Sequence, residues 1–268
     1  HRSMNALPLI LVPGLMCDHA VWTPLLPCLG ADRVCTVVDH ADADSLPQMA
    51  HQLLAVAPAQ FLLAGHSMGA RVALEVLRLA PQRVRGLALM DTGFLPKPDG
   101  QAGDDEAAKR MALLHIAQSQ GVRAMAQQWV RGMVHPDFLG DAELIERVLA
   151  MFERKNADTF ERQIRALLTR PDGSDVLRSL QVPTLLMCGA QDAWSPPAQH
   201  EAMPDGATEF HRRADEDEDA GGVDQAAQHQ QAEGDRMDGV HQRLGGGERE
   251  PAEAQIDQAP EGVRDAGG

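Results

Sequence analysis

The sequence predicts an α/β fold, a mainly parallel sheet with helices on both faces, and three observations carry that expectation. Short, almost wholly apolar runs at 7–12, 34–39, 60–65, 84–90 and 182–188 alternate with longer segments of helical period. Each run is apolar on consecutive positions, as strands buried on both faces require. The segments between them, 45–56 and 68–79, place apolar residues on one broad face; in the second these are Val72, Leu74, Val76, Leu77 and Leu79, and Pro81 ends it.

The order of elements divides the chain. Residues 5–95 and 181–210 read as the α/β core. Between them, 96–180 is far longer than one crossover helix needs, and its apolar residues recur at three- and four-residue spacing, including Met111, Leu114, Trp129, Phe160, Ile164 and Leu168. A helical cap inserted over the sheet accounts for it. Residues 211–268 read as a low-complexity acidic tail, disordered or translated out of frame. They hold fifteen acidic and six basic residues and no aromatic, too little apolar surface to offset chain entropy. The last strand and helix of such a core are therefore expected to be missing.

Composition excludes several functions. The net charge is −15, of which −9 lies in those last 58 residues, so phosphate backbones and anionic membrane surfaces are unsuitable partners. No stretch approaches the roughly 20 apolar residues of a membrane span. The run 7–12 stops at Pro13-Gly14 without a small-residue cleavage site, which argues for a strand rather than a leader. Cys17, Cys28, Cys35 and Cys188 form no C-x-x-C pair, and no His or acidic cluster has metal-ligand spacing. Reduced thiols, a cytoplasmic location, no metal and no cofactor are expected. Aromatic residues are only 3% and Tyr is absent, so Leu, Val, Ala and Met must fill the core.

The chemistry-bearing motif is Gly65-His66-Ser67-Met68-Gly69, standing between an apolar run and a helical segment. A sharp strand-to-helix turn would expose the Ser67 hydroxyl above the sheet in a strained conformation. Gly65 and Gly69 are elbow glycines, needed because strand and helix approach too closely there for a Cβ. His66 has the place of a structural residue.

These residues resemble the α/β-hydrolase superfamily, in particular its small cap-bearing esterase and enol-lactonase-like members, over about Pro8 to Met203. Leu11-Val12-Pro13-Gly14-Leu15-Met16-Cys17-Asp18 matches the family's loop after an early strand, with Pro13 where a histidine is usual. The resemblance implies an oxyanion hole from the backbone N–H groups of Leu15 and Met68. Asp192, after the strand-like 182–188 and before Trp194-Ser195-Pro196, matches the family's acid. Asp91 is the fallback.

The matching histidine, expected after one more strand and usually behind a glycine, is not found. His200, His211, His229 and His241 follow neither glycine nor an apolar strand and read as solvated residues, so the catalytic His is unknown. A frameshift or chimeric junction after about Phe210 explains the joint loss of strand, Gly-His and helix.

The function expected is hydrolysis of a small-molecule ester or lactone through an acyl-enzyme on Ser67, with Trp22, Trp129, Met133 and Phe94 as candidate pocket walls. Two alternatives remain open: perhydrolase or carbon–carbon bond hydrolysis on the same scaffold, and a catalytically dead domain that binds a ligand or partner. Oligomeric state is not legible.

Overall fold

The computed structural model describes residues 7–192 and 195–204, together with the backbone of 210–215. Strands β1 (Leu9–Val12), β2 (Cys35–Val37), β3 (Phe61–His66), β4 (Val84–Met90), β5 (Thr184–Gly189) and β6 (Phe210–Asp215) form one sheet in the order β2-β1-β3-β4-β5-β6. Every neighbouring pair is parallel. The strands fall where the apolar runs place them, because a parallel sheet covered on both faces selects for continuous apolar residues.

β6 corrects one expectation. The last strand, read as missing, pairs with β5 from Thr184↔Phe210 to Gly189↔Asp215. Its sequence, Phe210-His211-Arg212-Arg213-Ala214-Asp215, carries none of the apolar signal of the other strands. Pairing uses backbone N–H and C=O groups, which any non-proline residue supplies, and β6 stands at an edge of the sheet, where charged sequence is tolerated. Of the segment read as an acidic tail, 211–215 is thus strand. The remainder, with His229, His241 and the expected helix, lies outside the described residues.

Helices α1 (Leu46–Val56) and α2 (Met68–Leu79) are the crossovers flanking β3. Ser45 caps α1 by accepting the Gln48 N–H. Alternate residues of β1 enter two different clusters: Ile10 and Val12 pack into the large core with α1 and α2, whereas Leu9 and Leu11 pack with Trp22, Ala64 and Met90 on the opposite face. That second face is covered by short 3-10 turns at His19–Val21 and Leu26–Leu29, and it retains an open apolar hollow of about 440 Å³.

The chain between β4 and β5 is entirely helical where it is regular: α3 (Gln101–Gln120), α4 (Val122–Met133), α5 (Ala142–Glu153), α6 (Ala157–Leu168) and α7 (Ser174–Arg178), with one 3-10 turn. Asp141 and Asn156 cap α5 and α6 through their side chains. Asp104, Asp158 and Asp175 are first-turn acids, favourable beside the positive end of the helix dipole. Trp129 fills the centre of this insertion, edge-on to Phe152 and Phe160. Met111 departs from the periodic pattern, being exposed. The short α8 (Pro197–Glu201) then packs between β5 and β6.

Candidate active site

The carboxyl ends of β1, β3, β4 and β5 lie side by side, and open α/β sheets bind ligands there. Ser67 follows β3 directly and begins α2 with φ 56° and ψ −123°, a conformation that L-residues rarely adopt. Its N–H donates to the Met90 carbonyl at 2.9 Å, and its own carbonyl accepts the Thr92 hydroxyl at 3.1 Å, so the end of β4 holds the turn on both sides. The two glycines are sterically required. A Cβ on Gly65 would stand 2.5 Å from the Ala70 Cα, and one on Gly69 would fall on the carbonyl of Val12. The second contact presses the start of α2 against the chain leaving β1.

That chain is the Pro13–Cys17 loop. Leu15 and Met68 are both buried, on the β1 and β3 sides of this close approach. Two residues that sequence reasoning missed pin the loop. His40 donates from Nε2 to the Pro13 carbonyl at 3.1 Å, the carbonyl being able only to accept. Gln163, on α6, accepts the Met16 N–H with Oε1 at 2.7 Å, and Met16 itself has φ 58°. Burial pushes the His40 imidazole below its usual range, against the opposing pull of its Pro13 bond.

Asp192 lies just beyond β5, buried, and its Oδ1 accepts the Ser195 N–H at 3.0 Å. Asp91 is bound differently: Oδ1 accepts the Gly189 N–H at 3.1 Å, while Oδ2 faces His66 Nε2 at 3.4 Å in a pair buried on both sides. With φ 47° it turns the chain after β4. It ties β4 to β5 and faces His66.

His200 is buried, not solvated as its sequence surroundings suggest. Nε2 accepts the Thr92 N–H at 3.2 Å and Nδ1 donates to the Pro196 carbonyl at 3.3 Å, which fixes a neutral ring with its Nε2 lone pair occupied. Burial again lowers its pKa. The Cys188 thiol is pushed up to about 12 by burial and by Asp91, Asp192 and Glu201, and stays protonated.

The candidate wall residues Trp22, Trp129, Met133 and Phe94 are all buried packing residues; Trp22 belongs to the opposite face of the sheet, edge-on to His66. Among the described residues no group of His, Cys, Asp and Glu is placed to hold a metal, and no helix is long and apolar enough to cross a membrane.

Ser67 thus stands between two sterically required glycines where a central parallel strand joins a helix. The model of the alpha/beta hydrolase family matches residues 9–225. The chain belongs to this family.

Among solved members of the fold, the chain resembles an enol-lactonase from Burkholderia xenovorans (TM-score 0.68, 16% identity, 92% of each chain covered). It also resembles an esterase from Thermogutta terrifontis (TM-score 0.65, 22% identity, 90% of each chain). In sequence, it is 26% identical over 211 residues to a protein described as a carbamate hydrolase of Azorhizobium caulinodans, covering 70% of this chain and 75% of that protein. It is 28% identical over 214 residues to the dihydrolipoyllysine-residue acetyltransferase component of the acetoin cleaving system of Pseudomonas putida, where 74% of this chain spans only 55% of that protein. An alpha/beta hydrolase by ancestry, the chain carries the scaffold on which enzymes named for ester and lactone hydrolysis are built.

Proposed function

We propose that this alpha/beta hydrolase acts on small carboxylic esters or lactones through an acyl-enzyme on Ser67. The observation that carries the reading is Ser67 itself, held at positive φ at the start of α2 with no side-chain cap bond made to its own helix. Strain of that kind persists only where surrounding structure enforces it, and it leaves the hydroxyl available for attack.

In the proposed reaction Ser67 Oγ attacks the acyl carbon, and the N–H groups of Leu15 and Met68 receive the developing oxyanion beside the positive end of the α2 dipole. The alcohol or enol leaves with a proton, and water then releases the acid. Asp192 is the proposed acid that would orient and stabilise a protonated base. Among the described residues His40, His66 and His200 are engaged by Pro13, Asp91 and Thr92, and the catalytic His stays unassigned.

A frame change after about Phe210 remains our account of why no strand-Gly-His pattern follows there. On this account the present chain retains the nucleophile and turns over slowly, loss of a triad member typically lowering kcat by several powers of ten. Labelling with a serine-directed fluorophosphonate tests the reading. Adduct on Ser67, absent in Ser67→Ala, is expected; labelling that persists in the variant refutes it. Stoichiometric ligand binding without labelling would favour the dead, ligand-binding alternative. Translating the coding DNA in the other two frames tests the junction, and finding no strand followed by Gly-His in either would end that explanation.

A further inference from the structure

The loop that carries Leu15 is a tight turn in a strained form. Cys17 N–H donates to the Gly14 carbonyl at 3.1 Å, closing the turn, and Met16, its third residue, has φ 58°. Leu15, the second, lies outside the positive-φ region. That combination belongs to the type II turn, which favours glycine at the third place because a Cβ is crowded there. Methionine occupies it here, and such a residue keeps its conformation only where its neighbours enforce it.

The helical insertion takes part in that enforcement. The Leu15–Met16 peptide is bonded at both ends: its N–H donates to Oε1 of Gln163 on α6 at 2.7 Å, and its carbonyl accepts the Cys17 thiol at 3.3 Å. One residue past the turn, Arg154 donates from Nε to Oδ2 of Asp18 at 2.6 Å and from Nη2 to Oδ1 at 2.9 Å, a fork onto both carboxylate oxygens. Oδ1 of Asp18 also accepts the Ala20 N–H, and His19 faces the same oxygen at 3.7 Å. Arg154 caps the C-terminus of α5, just before the Asn156 that caps α6, so Arg154 and Gln163 flank one corner of the insertion. On α6, Arg165 reaches Asp44 at 2.9 Å, in the loop whose His40 holds the Pro13 carbonyl. The corner thus grips both chain segments that shape the turn.

We propose that the α5–α6 corner sets the conformation of the proposed oxyanion turn, with Gln163, and Arg154 acting through Asp18, as positioning residues for the Leu15 N–H. This rests on the Ser67 acyl-enzyme reading and adds a means of control to it: seating of the insertion and reactivity at Ser67 rise and fall together. Solvent reaches the Arg154–Asp18 pair, whose side chains are 44% and 17% exposed, so dissolved salt weakens it. The Gln163 bond is buried and joins neutral groups, so salt leaves it alone. When Arg154 lets go, the far end of the turn is released, Met16 can leave positive φ, and the loop that aims the Leu15 N–H changes shape.

Two measurements on the full chain test this, one of them independent of Ser67 chemistry. In hydrogen exchange read by mass spectrometry, Arg154→Met is expected to speed exchange of the peptide covering residues 12–18 about threefold, as an ion pair of this exposure allows, and to leave β3 and β4 unchanged. Arg154→Lys, which keeps the charge and loses the fork, should fall between parent and Arg154→Met. In fluorophosphonate labelling, Arg154→Met is expected to slow the rate about threefold. Salt at about 1 M, where the screening length is about 3 Å, should slow the parent toward the rate of Arg154→Met and leave that variant's own rate unchanged. Equal exchange of residues 12–18 in parent and Arg154→Met overturns the proposal, as does exchange that quickens equally in β3 and β4, the mark of general destabilisation. Faster exchange with unchanged labelling overturns the positioning role. If the parent itself is not labelled, the Ser67 reading fails, while the exchange result still decides whether the corner holds the turn.

Discussion

Replacing Ser67 with glycine is expected to stabilise the protein while deleting its proposed nucleophile. Ser67 lies at φ 56°, ψ −123°, and a non-glycine residue held in such a sparsely populated region costs about 1–3 kcal/mol. Its side chain returns little of that, making no capping bond to α2. Glycine removes the steric cost and adds about 0.5–1 kcal/mol of chain entropy on folding. The net change is a gain of about 0–2.5 kcal/mol, and in a chain of this size each kcal/mol moves Tm by about 2–4 °C. Ser67→Ala is the control, because it removes the hydroxyl and keeps the Cβ that causes the strain. Urea denaturation of the three proteins at one pH is the assay. A glycine variant no more stable than the alanine variant would refute the claim that backbone strain at the elbow is stored by the rest of the fold.

Two further outcomes are expected. His40 and His200 are both held below the usual histidine value by burial, with Asp91 and the Pro196 carbonyl pulling His200 partly back. Because the unfolded chain binds more protons than the native state in that window, their contribution is fully present above about pH 6.5 and is lost as pH falls through the lower folded values. Urea midpoints should therefore fall between about pH 7 and pH 5, and His200→Gln should flatten the slope; identical slopes in parent and variant would place the loss in other groups. Gln163→Leu should cost about 1–3 kcal/mol, since it leaves the buried Met16 N–H without its acceptor, and should slow phosphonate labelling of Ser67. Gln163→Glu keeps an oxygen in place and should slow it less; equal labelling rates in parent and Gln163→Leu would mean that this bond does not position the proposed oxyanion loop.

Much of the architecture was legible along the chain because the signals were local. The apolar runs at 60–65 and 84–90 became β3 and β4 because burial on both faces leaves a composition that periodicity can read. The elbow was legible for a different reason: Gly65 and Gly69 are spaced by a steric demand acting within five residues, and the Cβ collisions at Ala70 and Val12 are that demand. β6 was not legible, since an edge strand held by its backbone need show no apolar pattern.

The site divides in the same way. The turn at Ser67 and its glycines could be placed from a short motif, whereas the roles proposed for Leu15 and Asp192 rest on resemblance. Residues that act across the fold carried no local signal. Gln163 reaches Met16 across 147 positions of sequence. His200, set among polar neighbours, is buried only because α8 folds back beside β5 and brings it to Thr92. Arg154 reads as an ordinary helix-end residue until the α5–α6 corner brings it to Asp18. Sequence alone thus determined the scaffold and the serine, because hydrophobic period and backbone sterics are properties of neighbours along the chain. The tertiary structure decided which polar groups meet across the fold, because hydrogen bonding, desolvation and Coulomb interactions depend on distance in space.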